Sequence, residues 1–328
     1  QEPETFIRRK MTEFADYAAM RAHLGELHQQ GRFEEAVELL ESALEQFPDH
    51  FLANSYNLAF FCCLAKQYER GIQALQRGLD QGIWYGYYAF YDDLWAPCRE
   101  FEQFKEIEAQ NEAYRREEQA QARPELVVIP PSGYDAGNKS PLFIALHGGG
   151  GNMQELEDNW KSEKLEKEFI VALLQSSQVS NPGGFAWMDF ELAKKEITEA
   201  YQSVVEQYAV DTEQLLMGGF SAGGITTLGI VLDDALPVRG FVVLCPRKPD
   251  NFEVEHVRDA KQRGVRGVIL TTEMDPELPS QEEMVAAFEK EGLPCRFVVT
   301  PNIGHWFPQD FSAQIDQAID YINKKPGL

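Results

Sequence analysis

Gly218-Gly219-Phe220-Ser221-Ala222-Gly223-Gly224 sets one hydroxyl among four glycines, directly after the apolar run Leu215-Leu216-Met217. Gly219 to Gly223 fit G-x-S-x-G. Residues Gln214 to Gly219 read as a strand, and Ala222 to Leu232 are compatible with a helix. In that setting the serine stands on a sharp strand-to-helix turn that lifts its hydroxyl clear of the sheet. The glycines flank it because the two backbones nearly touch there. A serine hydroxyl is a weak nucleophile, so this chemistry needs a base, and the base needs an orienting acid.

For a serine on such a turn the expected chain order is Ser, acid, His. Only His256 and His305 follow Ser221. His256 lies in the charged helical stretch NFEVEHVRDAKQRG and reads as a solvated helix residue. His305, in TPNIGHWFP, follows the strand CRFVVT and precedes the last helix, which is where a base belongs. The acid is expected after GVILTT, in EMDPELP. Asp275 and Glu273 both qualify, and Asp275-Pro276 reads as the turn that aims a carboxylate at His305. Asp211, ahead of the serine, reads as a cap or turn residue.

A tetrahedral oxyanion needs N–H donors. Ala222, next after the serine, is the first. The second is expected in His147-Gly148-Gly149-Gly150-Gly151-Asn152 after the strand PLFIALH, from Gly149 first and Gly150 next. His147 reads as a structural residue of that loop. Phe185 and Trp187 in GGFAWMDF, and Trp306 beside His305, are candidate pocket walls, with core packing the competing reading.

These residues need a scaffold. From residue 123 onward, ELVVIP, PLFIALHG, KEFIVALLQS, EQLLMGGF, VRGFVVLCP, VRGVILTT and CRFVVT alternate with helical stretches. Nearly unbroken apolar strands between helices predict a mainly parallel sheet covered on both faces, so residues 123–328 are read as one α/β domain. Residues 1–122 carry helical periodicity instead. Phe33 and Tyr68, Ala36 and Gly71, Ala43 and Gly78, and Leu44 and Leu79 are each 35 positions apart. That period resembles the tetratricopeptide repeat, about 34 residues of paired helices. Only about two units are visible, fewer than usually suffice without a capping surface. A charged helical connector follows over residues 100–122.

As a set, GGFSAGG, LHGGGGN, Asp275-Pro276 and Gly304-His305 resemble the α/β-hydrolase superfamily, and within it the phospholipase/carboxylesterase-type esterases. HGGG is also similar to the hormone-sensitive-lipase-like esterases, and Ala222 stands where the first group commonly carries Gln. The resemblance covers the second half of the chain. It implies an α/β-hydrolase fold, a Ser221–Asp275–His305 triad, and hydrolysis of a small to medium acyl ester through an acyl-enzyme without metal or organic cofactor. Many relatives carry a lid after the strand matching FVVLCP, whereas here 18 residues, 247–264, separate it from VRGVILTT. The helical half, with its aromatic run IWYGYYAFYDDLW, is therefore expected to cap the acyl pocket. A docking role toward another protein or a second copy of the chain is the competing expectation. A thioesterase, a serine peptidase of the same fold, and a partner-binding protein with a vestigial hydrolase half are the alternative functions.

Bulk properties narrow the classes further. Thirty Lys and Arg against 53 Asp and Glu leave a net charge of −23, which argues against nucleic-acid and anionic-membrane partners. Five cysteines in no metal-like spacing, with Cys62-Cys63 adjacent on a buried helix face, read as free thiols of a reducing compartment. The opening stretch QEPETFIRRKMTEF has no apolar signal-peptide core, and no run approaches a membrane span. Cytoplasm is the expected location.

Overall fold

The computed structural model describes residues 14–324; most of the opening stretch read above for a leader lies outside them. Among the described residues no helix is long and apolar enough to cross a membrane. The chain divides into two compact units between Ala120 and Gln121.

The first unit runs α1 (Tyr17–Gln29), α2 (Phe33–Gln46), α3 (Phe51–Leu64) and α4 (Tyr68–Leu79), closed by α5 (Glu102–Gln121). Asp16 caps α1 by accepting the Ala19 N–H at 2.8 Å, and Gly31 makes the turn into α2 at φ +67°. Phe33 and Tyr68 each begin a helix, so the 35-residue spacing is the repeat of one helix pair on the next. The small positions are steric. A Cβ on Gly71 would lie 3.1 Å from the Ala59 carbonyl and from Cys62 Cβ, and one on Gly78 would collide with the Tyr85 hydroxyl.

The missing third repeat is replaced by α5, which buries Phe104 and Ile107 and presents Asn111 to the Tyr85 N–H at 2.7 Å. Four rings of the aromatic run are committed inside this unit, while Tyr88 and Tyr91 are exposed. Trp95 stacks on Phe104 with centroids 5.6 Å apart, Phe90 meets Trp95 edge-on, the Tyr85 hydroxyl bonds the Leu75 carbonyl, and Trp84 Nε1 bonds Glu118. Burial of those rings gives a two-repeat module a core of its own.

The second unit contains β1 (Glu125–Ile129), β2 (Ser140–Leu146), α6 (Met153–Asn159), α7 (Glu163–Glu168), β3 (Ile170–Gln175), β4 (Gln178–Asn181), β5 (Gly184–Ala186), α8 (Phe190–Gln207), β6 (Val210–Phe220), α9 (Ala222–Leu232), β7 (Val238–Leu244), α10 (Val254–Gln262), β8 (Arg266–Thr272), α11 (Leu278–Glu291), β9 (Cys295–Thr300) and α12 (Phe311–Asn323). Seven strands form one sheet in the order β1-β3-β2-β6-β7-β8-β9, parallel throughout except for β1 at the edge. Alternation along β2 sends Leu142, Ile144 and Leu146 into one core with residues of α8, α9, α10 and α11. Phe143 and Ala145 enter the other, with residues of α6, α7 and α12. Both faces are therefore dry, which is why the strands read as unbroken apolar runs. The hairpin β4–β5 was not anticipated: its strands are four and three residues long, too short for a periodic signal.

Chain order reverses between β2 and β6, since β3 follows β2 on one side while β7 to β9 follow β6 on the other. Loops leaving the carboxyl ends of those two strands diverge and open a crevice there.

Candidate active site

Ser221 lies at the end of central strand β6, one residue before α9, at φ +50° and ψ −116°. Its N–H donates to the Leu244 carbonyl at 2.8 Å, and its own carbonyl accepts from Ile225 at 2.9 Å, the first bond of the helix. A left-handed φ on a residue with a side chain costs on the order of 1–3 kcal/mol and persists only where its surroundings over-determine it. Two glycines permit the turn by having no Cβ. One on Gly219 would sit 2.3 Å from the Gly223 carbonyl, and one on Gly223 would sit 2.4 Å from the His147 oxygen.

The loops after β8 and β9 bring the partners. Glu273 N–H bonds the Thr300 carbonyl at 2.8 Å and Met274 N–H bonds the Ile303 carbonyl at 3.0 Å, so the two loops are laced together. His305 Nε2 lies 2.8 Å from Ser221 Oγ, and His305 Nδ1 lies 3.1 Å from Asp275 Oδ1. The Asp275 side chain is wholly buried while that of His305 is 31% exposed, so the array opens on the histidine side. Burial pushes the Asp275 carboxyl upward. Hydrogen bonds from the Cys245 thiol, the Glu277 N–H, His305 and Gln281 outweigh that and hold it below its ordinary range. An ionised carboxylate only accepts, which assigns the His305 proton to Nδ1 and turns the Nε2 lone pair to the serine hydroxyl.

Of the two acids left open by sequence, Asp275 meets the histidine. Glu273 is exposed and accepts the Asn302 N–H at 3.0 Å, holding the loop. His256 sits on α10 with Nδ1 on the Asn251 carbonyl at 3.0 Å, and Asp211 accepts the Glu213 N–H at 3.2 Å as a turn residue.

The glycine loop after β2 allots its N–H groups one by one. Gly148 N–H donates to Glu155 Oε1 at 2.7 Å, Gly150 N–H to the Phe185 carbonyl at 2.7 Å, and Gly151 N–H to the Gly148 carbonyl at 3.0 Å. Among the four glycines of this loop, Gly149 N–H alone has no partner. A Cβ on Gly149 would lie 3.6 Å from Ala222 Cβ, so Gly149 faces the start of α9, where the Ala222 N–H is also unpaired. Gly150 is therefore not a donor to the site: β5 takes its N–H.

His147 supports this loop from beneath. Its Nε2 accepts the Ser176 N–H at 3.1 Å, which places the ring proton on Nδ1, bonded to the Gly148 carbonyl at 2.7 Å. Burial lowers its pKa to about 4, so the ring is neutral. Trp187 belongs to the same support rather than to a pocket wall. It is buried, stacks on His147 with centroids 5.0 Å apart, and donates Nε1–H to the His147 carbonyl at 3.0 Å. Phe185 is half-buried and bridges to Gly151. Trp306 is 58% exposed, its ring edge-on to Phe220, and stands free beside His305.

Three contributors escaped the sequence reading. Glu155 lies three residues after Asn152, whose side chain caps α6, and that Asn-x-x-Glu spacing is a capping-box signal. Cys245 and Gln281 reach Asp275 from β7 and α11, a juxtaposition no local pattern announces. The Cys245 thiol, the Asp275 carboxylate and the His305 imidazole lie within 4.8 Å of one another, the one trio among the described residues close enough to share a metal ion. Hydrogen bonds already occupy the carboxylate and the imidazole, and burial pushes the thiol up to about 12.

Residues 27–82 match the family model of the tetratricopeptide repeat. No curated protein matches the chain. An uncharacterized protein from Bacillus cereus ATCC 10987 is similar over 94% of this chain and 98% of its own, at 23% identity and a TM-score of 0.52, a likeness of fold. The second unit has the α/β-hydrolase fold. Its sheet order, lone antiparallel edge strand and serine turn between β6 and α9 are the features that define it here. Esterase PE8 is similar at 16% identity over 61% of this chain and 99% of its own, with a TM-score of 0.49. A Bacillus cereus carboxylesterase is similar at 17% identity over 63% of this chain and 99% of its own, with a TM-score of 0.47.

Proposed function

We propose that the protein hydrolyses carboxylic esters of small to medium acyl groups through an acyl-enzyme on Ser221. The observation that carries this reading is the continuous Ser221–His305–Asp275 hydrogen-bond path, at 2.8 and 3.1 Å, ending on a serine held at φ +50°. His305 Nε2 takes the hydroxyl proton as Oγ attacks the ester carbonyl, and buried Asp275 steadies the imidazolium. The Gly149 and Ala222 amides receive the oxyanion, an interaction whose loss costs roughly 100- to 1,000-fold in rate. Collapse of the adduct expels the alcohol with the proton from His305. Water then gives a proton to the same nitrogen as it attacks the acyl-serine, and collapse of that adduct releases the acid while His305 returns the proton to Ser221 Oγ. Exposed Trp306 and Met274, on the two loops that carry the acid and the base, offer apolar surface to the substrate.

The test is hydrolysis of p-nitrophenyl esters from acetyl to palmitoyl, with Ser221→Ala alongside and stoichiometric labelling by a fluorophosphonate. Activity and labelling that both vanish in Ser221→Ala, by about 10⁴-fold or more in rate, are expected. A wild-type chain inert to both reagents sinks the reading. Turnover confined to thioesters or anilides moves the scissile bond but keeps the nucleophile.

A further inference from the structure

We infer that Glu155 is a positioning residue for the oxyanion site, holding the glycine loop so that Gly149 N–H alone faces Ser221; this rests on the esterase reading above. Two successive peptide planes of the loop are fixed by hydrogen bonds. In the plane between His147 and Gly148, the carbonyl accepts Trp187 Nε1–H at 3.0 Å and the N–H donates to Glu155 at 2.7 Å. In the next plane the Gly148 carbonyl accepts both His147 Nδ1–H at 2.7 Å and Gly151 N–H at 3.0 Å. A trans peptide points its N–H opposite to its carbonyl, so that pair of donors sends Gly149 N–H the other way, to the side left open.

Glu155 bonds one end of this turn and lies against the other. Its Oε1 takes Gly148 N–H, and its Oε2 lies against Gly151, where a Cβ would come within 2.6 Å of it. Glu155 stands in the first turn of α6, the place from which a capping-box glutamate bonds back to the N-cap N–H. Here the carboxylate reaches past Asn152 to Gly148 instead. Among the described residues no cation pairs with it, and burial raises its pKa against the pull of the Gly148 N–H. A half-buried carboxylate bonded to a glycine loop, with no ion pair, is what a positioning role requires. The same carboxylate explains why Gly151 must lack a side chain although its φ is not left-handed.

The test compares Glu155→Gln, which keeps the acceptor and the shape, with Glu155→Met, which keeps the length only. kcat and KM on p-nitrophenyl butyrate are measured together with inhibition by phenylboronic acid, whose tetrahedral adduct on Ser221 places an oxygen in the donor site. Glu155→Met should lose roughly tenfold or more in kcat, with KM within about twofold and boronate affinity falling in parallel, because only the tetrahedral state uses the donors. Glu155→Gln should recover most of the loss. Should Glu155→Met fail to fold, Gly151→Ala displaces the carboxylate sterically and should show the same pattern. A Met variant with unchanged kcat, or a loss not recovered by Gln and matched by loss of fluorophosphonate-titratable sites, overturns the inference. A wild-type chain that neither turns over the ester nor reacts with the fluorophosphonate refutes the esterase reading first and this one with it.

Discussion

The two glycine clusters of the second unit look alike in sequence and are glycine-rich for partly different reasons. At the elbow, Gly219 and Gly223 are required by proximity: strand β6, helix α9 and the end of β2 come so close that a Cβ would fall within 2.4 Å of backbone atoms. In the loop after β2, Gly149 has ordinary room for a Cβ, 3.6 Å from its nearest neighbour, and what counts is the direction of its N–H. The elbow glycines answer to volume; in the loop Gly148 and Gly151 are confined too, by the Phe220 ring and the Glu155 carboxylate, while at Gly149 what counts is the aim of a peptide plane. A run of glycines in a sequence is therefore two different statements until the backbone around it is known.

Alanine substitution separates them. Gly223→Ala forces a methyl into the Leu146 and His147 carbonyls, a clash whose cost exceeds the 1–3 kcal/mol typical of overpacking. The expected outcome is loss of soluble, cooperatively folding protein, read by expression and thermal melting. Gly149→Ala keeps the N–H and the space, and should melt within a few degrees of wild type with kcat within several-fold. If the two variants behave alike, the distinction fails.

A second contrast lies between the two histidines at the site. His305 is half-exposed and bonded to a carboxylate, whereas His147 is buried among backbone groups and its pKa is lowered to about 4. The unfolded chain binds a proton at His147 near pH 6.5 and the folded chain does not. Stability is therefore full above that pH and declines as pH falls toward 4, by up to about 3 kcal/mol at about 1.4 kcal/mol per unit. Asp275, held low in the folded state, adds stability that is present above the ordinary carboxylate range and is lost only as pH falls further. Melting temperature measured from pH 7 to 4 should fall in wild type and be flatter in His147→Asn. Equal slopes would mean that His147 titrates normally.

The smallest effect is expected at Trp306, which is exposed and packs only by its edge on Phe220 and Phe307. Trp306→Ala should leave the melting temperature within a degree or two. It should shift KM or the preferred acyl length by a few-fold across the p-nitrophenyl series. Unchanged chain-length preference would remove Trp306 from the substrate surface.

How far the site could be read in advance follows the range of the interactions. Ser221 was legible because strand, turn and helix are contiguous, and Asp275 and His305 because each lies just beyond a strand. The choice between Asp275 and Glu273 needed the lacing of two loops, which only tertiary structure supplies. Gly150 was misread, and Trp187 was left between pocket wall and core, for one reason. Hairpin β4–β5 folds back on the loop after β2, so Phe185 takes the Gly150 N–H and Trp187 slides beneath His147. In the first unit the helix pairs were legible from period alone. The aromatic run was not, because its partner α5 reads as a charged connector while burying Phe104, Ile107 and Asn111.

On the proposed function, the left-handed backbone at Ser221 ties its labelling to the folding of the whole domain. The residue reaches φ +50° only when the Leu244 carbonyl of β7, the first turn of α9 and the glycine contacts with β2 are all in place. If Ser221 is the proposed nucleophile, a chain that has not completed these contacts is expected to hold an ordinary serine that a fluorophosphonate leaves unlabelled. Covalent labelling of Ser221 along a denaturation curve would then report the same transition as spectroscopy, at single-residue resolution.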